Sequence, residues 1–188
     1  MSSATHHAPA ATLAGRVEEA TGVNLAHCYQ CGKCAAGCPV SDQMDLPPCQ
    51  VFRLLQLGFP ELDEKVLRSE GIWLCLACET CSSRCPQEVD ITRVMDALRH
   101  EALRLDVAHP KSKDILAFHR AFLDSIHYTG RLYEVGLVAD YKVRSLHFLK
   151  DVALAPRMYV KGKLGLLPHM IKDRKGVGDL FRRAHRKG

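Results

Sequence analysis

Long apolar runs, nucleotide-binding motifs and secretory signals are all missing from this sequence. No stretch reaches the ~18 uninterrupted apolar residues that a membrane-spanning helix needs. The most apolar segment, 132–154, is interrupted by six charged residues. Residues 1–15 show no charged region followed by an apolar run, which is the mark of a secretory signal. We therefore expect a soluble, cytoplasmic protein with no transmembrane segment.

The sequence also contains neither a G-x-G-x-x-G motif nor a P-loop, the two common signatures of a dinucleotide or nucleotide site. A flavin, a nicotinamide or ATP is therefore not expected on this chain. Aromatic residues make up 6% of the sequence and tryptophan occurs once. No element of a nucleic-acid-reading fold is evident, so we do not expect nucleic acid as a partner.

Strand-type alternation is rare, and helical periodicity dominates the sequence. The fold class predicted is all-α. Thr12 is a candidate N-cap for a helix over 12–21, and Asp90 is the candidate N-cap for a longer helix. The apolar stripe of that longer helix comprises Ile91, Val94, Met95, Leu98, Ala102 and Leu105. Further helices are predicted from Pro47-Pro48 to Leu57, around 61–68, over 111–128 with Gly130 after its end, and over 131–155.

Eight of the nine cysteines belong to one pattern that occurs twice. The pattern is C-x-x-C-x-x-C-x-x-x-C-P, and each member of the second run lies 47 positions after its mate in the first, as Cys75 does after Cys28. The first run contains Cys28, Cys31, Cys34, Cys38 and Pro39, and the second contains Cys75, Cys78, Cys81, Cys85 and Pro86.

This spacing is typical of the thiolate ligands of [4Fe–4S] clusters in bacterial ferredoxins. Two runs predict two [4Fe–4S] clusters, eight metal-binding cysteines and a role in electron transport. In two-cluster ferredoxins the fourth cysteine of each run ligates the other cluster. Carried over to this chain, one cluster would bind Cys28, Cys31, Cys34 and Cys85, and the other would bind Cys75, Cys78, Cys81 and Cys38.

Two other uses of the cysteines compete with this interpretation. A disulfide framework would need an oxidising compartment. Zinc sites prefer separated pairs of cysteines to three cysteines at consecutive x-x spacings. The ninth cysteine, Cys49, is most simply a small buried apolar residue on the helix after Pro48, with an extra-ligand or redox-sensor role as the alternative.

Residues beside the ligands are candidates for tuning the clusters. Gly32 and Gly37 would let backbone N–H groups approach sulfur, and Lys33 or Arg84 could act through charge. Four further residues are candidates for shielding the clusters from water: Tyr29, Gln30, Ile72 and Trp73. No histidine ligand is expected at His6, His7, His100, His119 or His127, because cysteine fills all eight positions.

The 36 residues between Cys38 and Cys75 look helical, which favours an alpha-helical two-cluster ferredoxin domain over the small β-hairpin type. We predict three segments. Residues 1–11 form a disordered N-terminus, residues 12–108 form the ferredoxin domain, and residues 109–188 form a helical extension for docking on a partner. Exposed apolar residues in that extension would favour docking on another subunit. They are Leu164, Leu166, Leu167, Met170 and Ile171.

The formal net charge of +5 resides in the tail. Residues 172–188 hold seven Lys and Arg against two Asp, so residues 1–171 sum to zero. An oxidised cluster with its four thiolates carries about −2, so the loaded protein would be close to neutral. The basic tail has three possible roles: a solvated terminus, docking on an acidic partner surface, or nucleic-acid contact.

The two runs, the helical linker and the extension together resemble the C subunit of heterodisulfide reductase. Four segments carry the resemblance: Cys28-Tyr-Gln-Cys31-Gly-Lys-Cys34, Gly71-Ile-Trp-Leu-Cys75, 118–126 and 130–137. The resemblance spans nearly the whole chain beyond about residue 12. It implies a hetero-oligomer in which this chain relays electrons from the A subunit, which carries flavin and clusters, to the catalytic B subunit, which has CCG motifs.

Catalysis by the chain itself is not expected, because thiol exchange needs a cysteine pair and only Cys49 is left after eight ligands. A CCG motif is absent, so the chain resembles the C subunit alone. Other functions remain open at this stage: the iron–sulfur subunit of a succinate-, glycolate- or glycerol-3-phosphate-type dehydrogenase, a cluster-dependent sensor, or a purely structural use of the clusters.

Overall fold

A computed structural model describes residues 12–146, 158, 160–162, 165, 168 and 170–185. The predicted disorder of 1–11, the histidines at 6 and 7 and the apolar residues Leu164, Leu166 and Leu167 lie outside these residues. Regular structure within the described ranges is helical throughout, with no strand, which confirms the all-α prediction. No helix among them is long and apolar enough to cross a membrane. The chain divides into two compact units, 1–112 and 113–188.

The N-terminal helix α1 (Leu13–Thr21) forms where Thr12 predicts it. The Thr12 hydroxyl accepts a hydrogen bond from the Gly15 N–H, which satisfies one of the free donors of the first turn. The helix ends at Gly22, whose φ of 71° is in the left-handed region. The buried Glu18 carboxylate then accepts the Leu25 N–H at 2.8 Å, so the chain leaves α1 at a fixed angle toward the first cysteine run.

Three helices fill the linker between the two cysteine runs. Helix α3 (Pro48–Leu57) begins with a proline, which lacks the N–H that a first turn leaves unpaired, and ends at Gly58 with φ 66°. Helices α4 (Pro60–Leu67) and α5 (Gly71–Leu74) follow. The helical linker predicted from sequence is therefore confirmed. On either side of the first run, 3₁₀ turns occupy Leu25–His27 and Ser41–Gln43, and the short helices α2 (Lys33–Ala36) and α6 (Thr80–Ser83) contain the third cysteine of each run.

Helix α7 (Ile91–Arg104) is the centre of the first unit. Asp90 caps it by accepting the Arg93 N–H, and its apolar stripe is almost fully buried against α1, α4, α5 and α6. Leu105 is the exception: it follows the last helical residue and is 42% exposed, so its predicted place on the stripe is wrong. Arg16 of α1 pairs with Glu101 of α7 at 3.1 Å, which adds a partly buried ion pair to the apolar contact.

The second unit is built from α8 (Ser112–Thr129), α9 (Glu134–Ser145) and α10 (Arg174–His185). Helix α8 coincides closely with the predicted 111–128, and Gly130 follows it with φ 80°. Helix α9 covers the first part of the predicted 131–155, whose remainder falls partly outside the described residues. Most of the basic tail forms α10, in which Arg174, Lys175, Arg182 and Arg183 are exposed.

Asp45 fixes the start of α5, the helix that leads directly into Cys75. Its carboxylate accepts hydrogen bonds from the N–H groups of Leu46, Glu70 and Gly71 and from the Ser69 hydroxyl, at 2.6–3.1 Å. Burial raises the pKa of this carboxyl, but the four hydrogen bonds outweigh burial and leave the pKa below its ordinary value. The carboxylate is thus charged at neutral pH. Its hydrogen bonds hold Asp45 against residues 69–71, which lead into the second run.

We predict that Asp45→Ala lowers the free energy of unfolding by about 2 kcal/mol, because hydrogen bonds to a charged group are lost and their donors are left unpaired. Since the folded-state pKa is depressed, the contribution is present at pH 7 and is lost as the pH falls through that folded-state pKa. Thermal unfolding of the cluster-loaded protein at pH 7 measures the effect. The exposed Asp42→Ala is the matched control, and equal effects of the two substitutions would contradict the assignment.

Candidate iron–sulfur site

The two cysteine runs adopt the same backbone conformation. Gln30 and its mate Ala77 have φ values of 62° and 50°, and Gly32 and its mate Glu79 have φ values of 76° and 59°. Helices α2 and α6 then occupy matching positions, 47 residues apart. Three non-glycine residues in the left-handed region are costly, so the repetition of these angles indicates that the turn itself is required.

The left-handed turns bring backbone N–H groups to the first cysteine of each run. The N–H of Gln30 hydrogen-bonds the Cys28 thiol, and the N–H of Ala77 hydrogen-bonds Cys75. Burial raises the pKa of both thiols, and these N–H groups oppose that rise. The turn therefore supplies donors to sulfur at the same place in both runs, and such donors favour the thiolate.

The first cavity is lined by cysteines from both runs. The first cysteine set lines it: Cys28, Cys31, Cys34 and Cys85. Phe52, Val89 and Ile91 form its apolar wall. Cys49, on α3 as predicted, lines the same cavity and is half-buried, and its role as a packing residue stays a prediction.

The second cavity repeats this arrangement with the remaining cysteines. The second cysteine set lines it: Cys38, Cys75, Cys78 and Cys81. Met44, Ile91 and Met95 contribute apolar wall. The structure thus brings together the two groups of four cysteines that the sequence pairs, each with three from one run and one from the other. Ligation by these sulfurs stays a prediction.

The chemistry of each cavity fits an iron–sulfur cluster. Burial, followed by the nearby Cys49 thiol, raises the pKa of Cys34 to about 12. A free thiol in this position keeps its proton at pH 7, whereas iron displaces the proton and compensates the buried thiolate. Within the described part of the chain, no three His, Cys, Asp or Glu side chains converge as ligands of a single ion. Each set of four soft ligands surrounds a cavity instead.

One thiol of each set is exposed, and a large exposed apolar side chain lies two positions before it. These pairs are Tyr29 with Cys31 and Leu76 with Cys78, and the two apolar residues are 58% and 63% exposed. Tyr29 therefore does not shield a cluster from water in the way that we expected. Ile72 and Trp73, the other proposed shielding residues, are buried.

The candidate tuning residues have separate roles in the structure. Gln30 Nε2 donates to Cys28 Sγ at 3.4 Å, and Lys33 lines the first cavity. Gly37 does not have a left-handed φ; a Cβ at this position would overlap the Arg84 guanidinium, so its lack of a side chain admits Arg84 rather than sulfur. His100 and His119 are exposed on α7 and α8.

Three hydroxyl groups near the second cysteine set were not predicted from the sequence. Thr80 Oγ1 lies 3.4 Å from Cys78 Sγ, and Thr92 Oγ1 lies 4.0 Å from Cys81 Sγ and 3.2 Å from Ser82 Oγ. Their signal was available in the repeat, because Thr80 and Ser82 stand 47 positions after Lys33 and Ala35, which have no hydroxyl. Thr92 belongs to another helix, and only the packing of α6 on α7 brings it near.

A helical domain with two four-cysteine cavities is the arrangement of a dicluster ferredoxin. Residues 24–89 match the family model described as "4Fe-4S dicluster domain". The cofactors are accordingly two [4Fe–4S] clusters, and the chain is an iron–sulfur protein.

The chain is also similar to curated proteins that are named as C subunits of heterodisulfide reductases. The chain is 39% identical over 98 residues to an iron–sulfur C subunit of the CoB–CoM heterodisulfide reductase of Methanocaldococcus jannaschii, covering 50% of each chain. It is 29% identical over 103 residues to the C subunit of the H2:CoB-CoM heterodisulfide,ferredoxin reductase of Methanothermobacter thermautotrophicus, covering 55% of this chain and 54% of the relative. The predicted resemblance to the C subunit is confirmed.

The similarity is narrower than the sequence segments suggested. The matches cover about half of this chain rather than nearly all of it, and the chain spans about half the length of the curated relatives it matches. The C subunit of a ferredoxin:CoB-CoM heterodisulfide reductase of Methanosarcina acetivorans is 36% identical over 81 residues, which are 43% of this chain and 31% of that protein.

We predict that Gly32→Ala lowers the free energy of unfolding by about 1 kcal/mol, because a Cβ is strained at a left-handed φ. No protein atom lies within 4 Å of the added Cβ, so in a variant with full iron content the loss reports backbone strain. Thermal unfolding of the loaded protein measures it. Gly178→Ala, in α10 and equally open, is the control and should not destabilise. A neutral Gly32→Ala would contradict the turn requirement.

Proposed function

We propose that this chain is the electron-transfer subunit of a heterodisulfide reductase-like complex. It would relay electrons between the A subunit, which bears flavin and iron–sulfur clusters, and the catalytic B subunit, which has CCG motifs. The single observation that carries the proposal is the pairing of two four-cysteine cavities in one helical domain whose relatives are named as C subunits. When bound, the clusters supply one-electron redox chemistry.

We also propose the ligand sets that the cavities support. Cys28, Cys31, Cys34 and Cys85 would hold the first cluster, and Cys38, Cys75, Cys78 and Cys81 would hold the second. The fourth cysteine of each run lines the other run's cavity, and α2 packs on α6 between the two runs. These cross-connections keep the two clusters in adjacent positions, which a relay requires.

The exposed thiol of each set supports electron exchange with a partner. Cys31 and Cys78 are the exposed members of their sets, and Tyr29 and Leu76 add apolar contact area beside them. A redox partner has to come near a cluster to exchange electrons, and exposed apolar side chains are what an interface buries.

The extension is proposed as the part that attaches the chain to its complex. The proposed segments are the N-terminus at 1–11, the ferredoxin domain at 12–108 and the extension at 109–188, with the basic tail at 172–188. Four basic side chains of α10 are exposed: Arg174, Lys175, Arg182 and Arg183. In the complex they would face an acidic surface of the partner. A cytoplasmic location, with the complex as a soluble hetero-oligomer, completes the proposal.

The ligand sets predict a pairing of mutant phenotypes. Cys28→Ser and Cys85→Ser should abolish the same one of two EPR signals, although the cysteines belong to different runs, and Cys75→Ser and Cys38→Ser should abolish the other. Iron content should fall from about eight atoms per chain to about four in each variant. Cys49→Ser is the control and should retain both signals. If Cys85→Ser removed the signal lost in Cys75→Ser, the crossed ligation would be wrong.

The partner proposal predicts what an anaerobic pull-down of the tagged full chain recovers. We expect a flavoprotein together with a protein that contains CCG motifs. Arg182→Glu combined with Arg183→Glu should weaken the recovery, because it reverses two exposed charges of the tail. Lys113→Glu, an exposed reversal outside the tail, is the matched control. Recovery of a succinate- or glycolate-type dehydrogenase alone would replace this function with that of another iron–sulfur subunit.

A further inference from the structure

A chain of hydroxyl groups connects the N-terminus of α7 to the second cysteine set. Ser82 Oγ accepts the N–H groups of Ile91 and Thr92 at 3.1 and 3.4 Å. The same oxygen lies 3.2 Å from Thr92 Oγ1, which in turn lies 4.0 Å from Cys81 Sγ. Thr92 is buried, so these contacts are largely removed from competing water.

The direction of the hydrogen bonds between these hydroxyl groups follows from the N–H groups that Ser82 Oγ already accepts. Its oxygen receives two N–H donors from the first turn of α7, so its own O–H proton is free to be donated to Thr92 Oγ1. Thr92 then accepts from Ser82 and has its own proton available for the Cys81 sulfur. The positive end of the α7 dipole lies beside Ser82, the first of these hydroxyl groups, and favours the same direction.

Thr80 supplies a second hydroxyl to the same set. Its Oγ1 lies 3.4 Å from the sulfur of Cys78, the exposed member of the set. In the free thiol the sulfur donates to the hydroxyl, and in an iron-bound thiolate the hydroxyl has to donate instead, because the sulfur no longer has a proton. The backbone N–H of Thr80 also hydrogen-bonds this sulfur.

The first cysteine set has no hydroxyl at the matching positions. Lys33, Ala35 and Asp45 stand 47 residues before Thr80, Ser82 and Thr92. Two other side chains act there: Gln30 Nε2 donates to Cys28 Sγ at 3.4 Å and also to Gln56 Oε1 at 3.3 Å, and the Tyr29 hydroxyl hydrogen-bonds the Cys31 sulfur. Positive charge occurs on both sides, since Lys33 lines the first cavity and Arg99 donates to the Cys75 carbonyl.

We propose that Thr80 and the Ser82–Thr92 pair raise the reduction potential of the second cluster. Hydrogen bonds to cluster sulfur stabilise the more negatively charged reduced state, and they are one of the main protein controls on potential. The first set has side-chain donors of its own, Gln30 and Tyr29, so the two groups of donors act on separate clusters. This inference rests on the proposed ligand sets and electron-transfer function.

The test is an anaerobic, EPR-monitored redox titration of the loaded full-length chain and its variants. Thr92→Val and Thr80→Val should each lower the same one of the two midpoint potentials and leave the other in place. Thr92→Ser, which keeps the hydroxyl, should restore the wild-type value. Gln30→Ala should lower the other midpoint, and this assigns each midpoint to a cysteine set.

Ser83→Ala is the matched control, because Ser83 Oγ lies on the same helical turn and bonds the Glu79 carbonyl instead of a sulfur. Iron content establishes that every variant carries both clusters. Unchanged midpoints in a fully loaded Thr92→Val, or a shift of the midpoint that Gln30→Ala also lowers, would overturn the proposal. A failed pull-down with shifted midpoints would instead count against the partner assignment alone.

Discussion

Each cavity is lined by cysteines from both runs, and the rest of the first unit holds the two runs in the positions that this requires. Two loops separated by 47 residues have to lie side by side so that cysteines of both loops line the same two cavities. Helix α7 provides the surface for this, since α1, α4, α5 and α6 all pack on its buried stripe. The linker helices span the distance between the loops, and the Asp45 carboxylate fixes the last of them at the point where the second run begins.

Burial of the thiols makes cofactor and fold interdependent. The pKa of Cys34 is raised to about 12 mainly because the thiolate would be desolvated, so without iron the cavity favours neutral thiols. Iron reverses this preference, and the free energy of binding then contributes to folding because the unfolded chain has no formed site. The left-handed turns at Gln30 and Ala77 act in the same sense, since their N–H groups favour the thiolate at the first position of each run.

Sequence reasoning reached the parts of this structure that are governed by local rules. The cysteine spacing, the Thr12 and Asp90 caps and the Gly58 stop each act within a few residues, and the crossed cysteine sets followed from the repeat. It failed where the outcome depends on packing between distant segments. Cys49 lines the first cavity because α3 packs beside α2, and Thr92 approaches Cys81 only through the contact of α6 with α7.

The two halves of the repeat agree in backbone and differ in side chains, and this division has a physical meaning. Ligation of a cluster depends on where sulfurs and N–H groups point, which the φ angles control, and those angles match at Gln30 and Ala77 and at Gly32 and Glu79. The electron donor and the acceptor at the two ends of a relay set its net direction, whereas a difference between the two clusters sets which of them holds the electron in between. Side chains such as Gln30 on one side and Thr80 and Thr92 on the other can supply that difference without disturbing the shared turn.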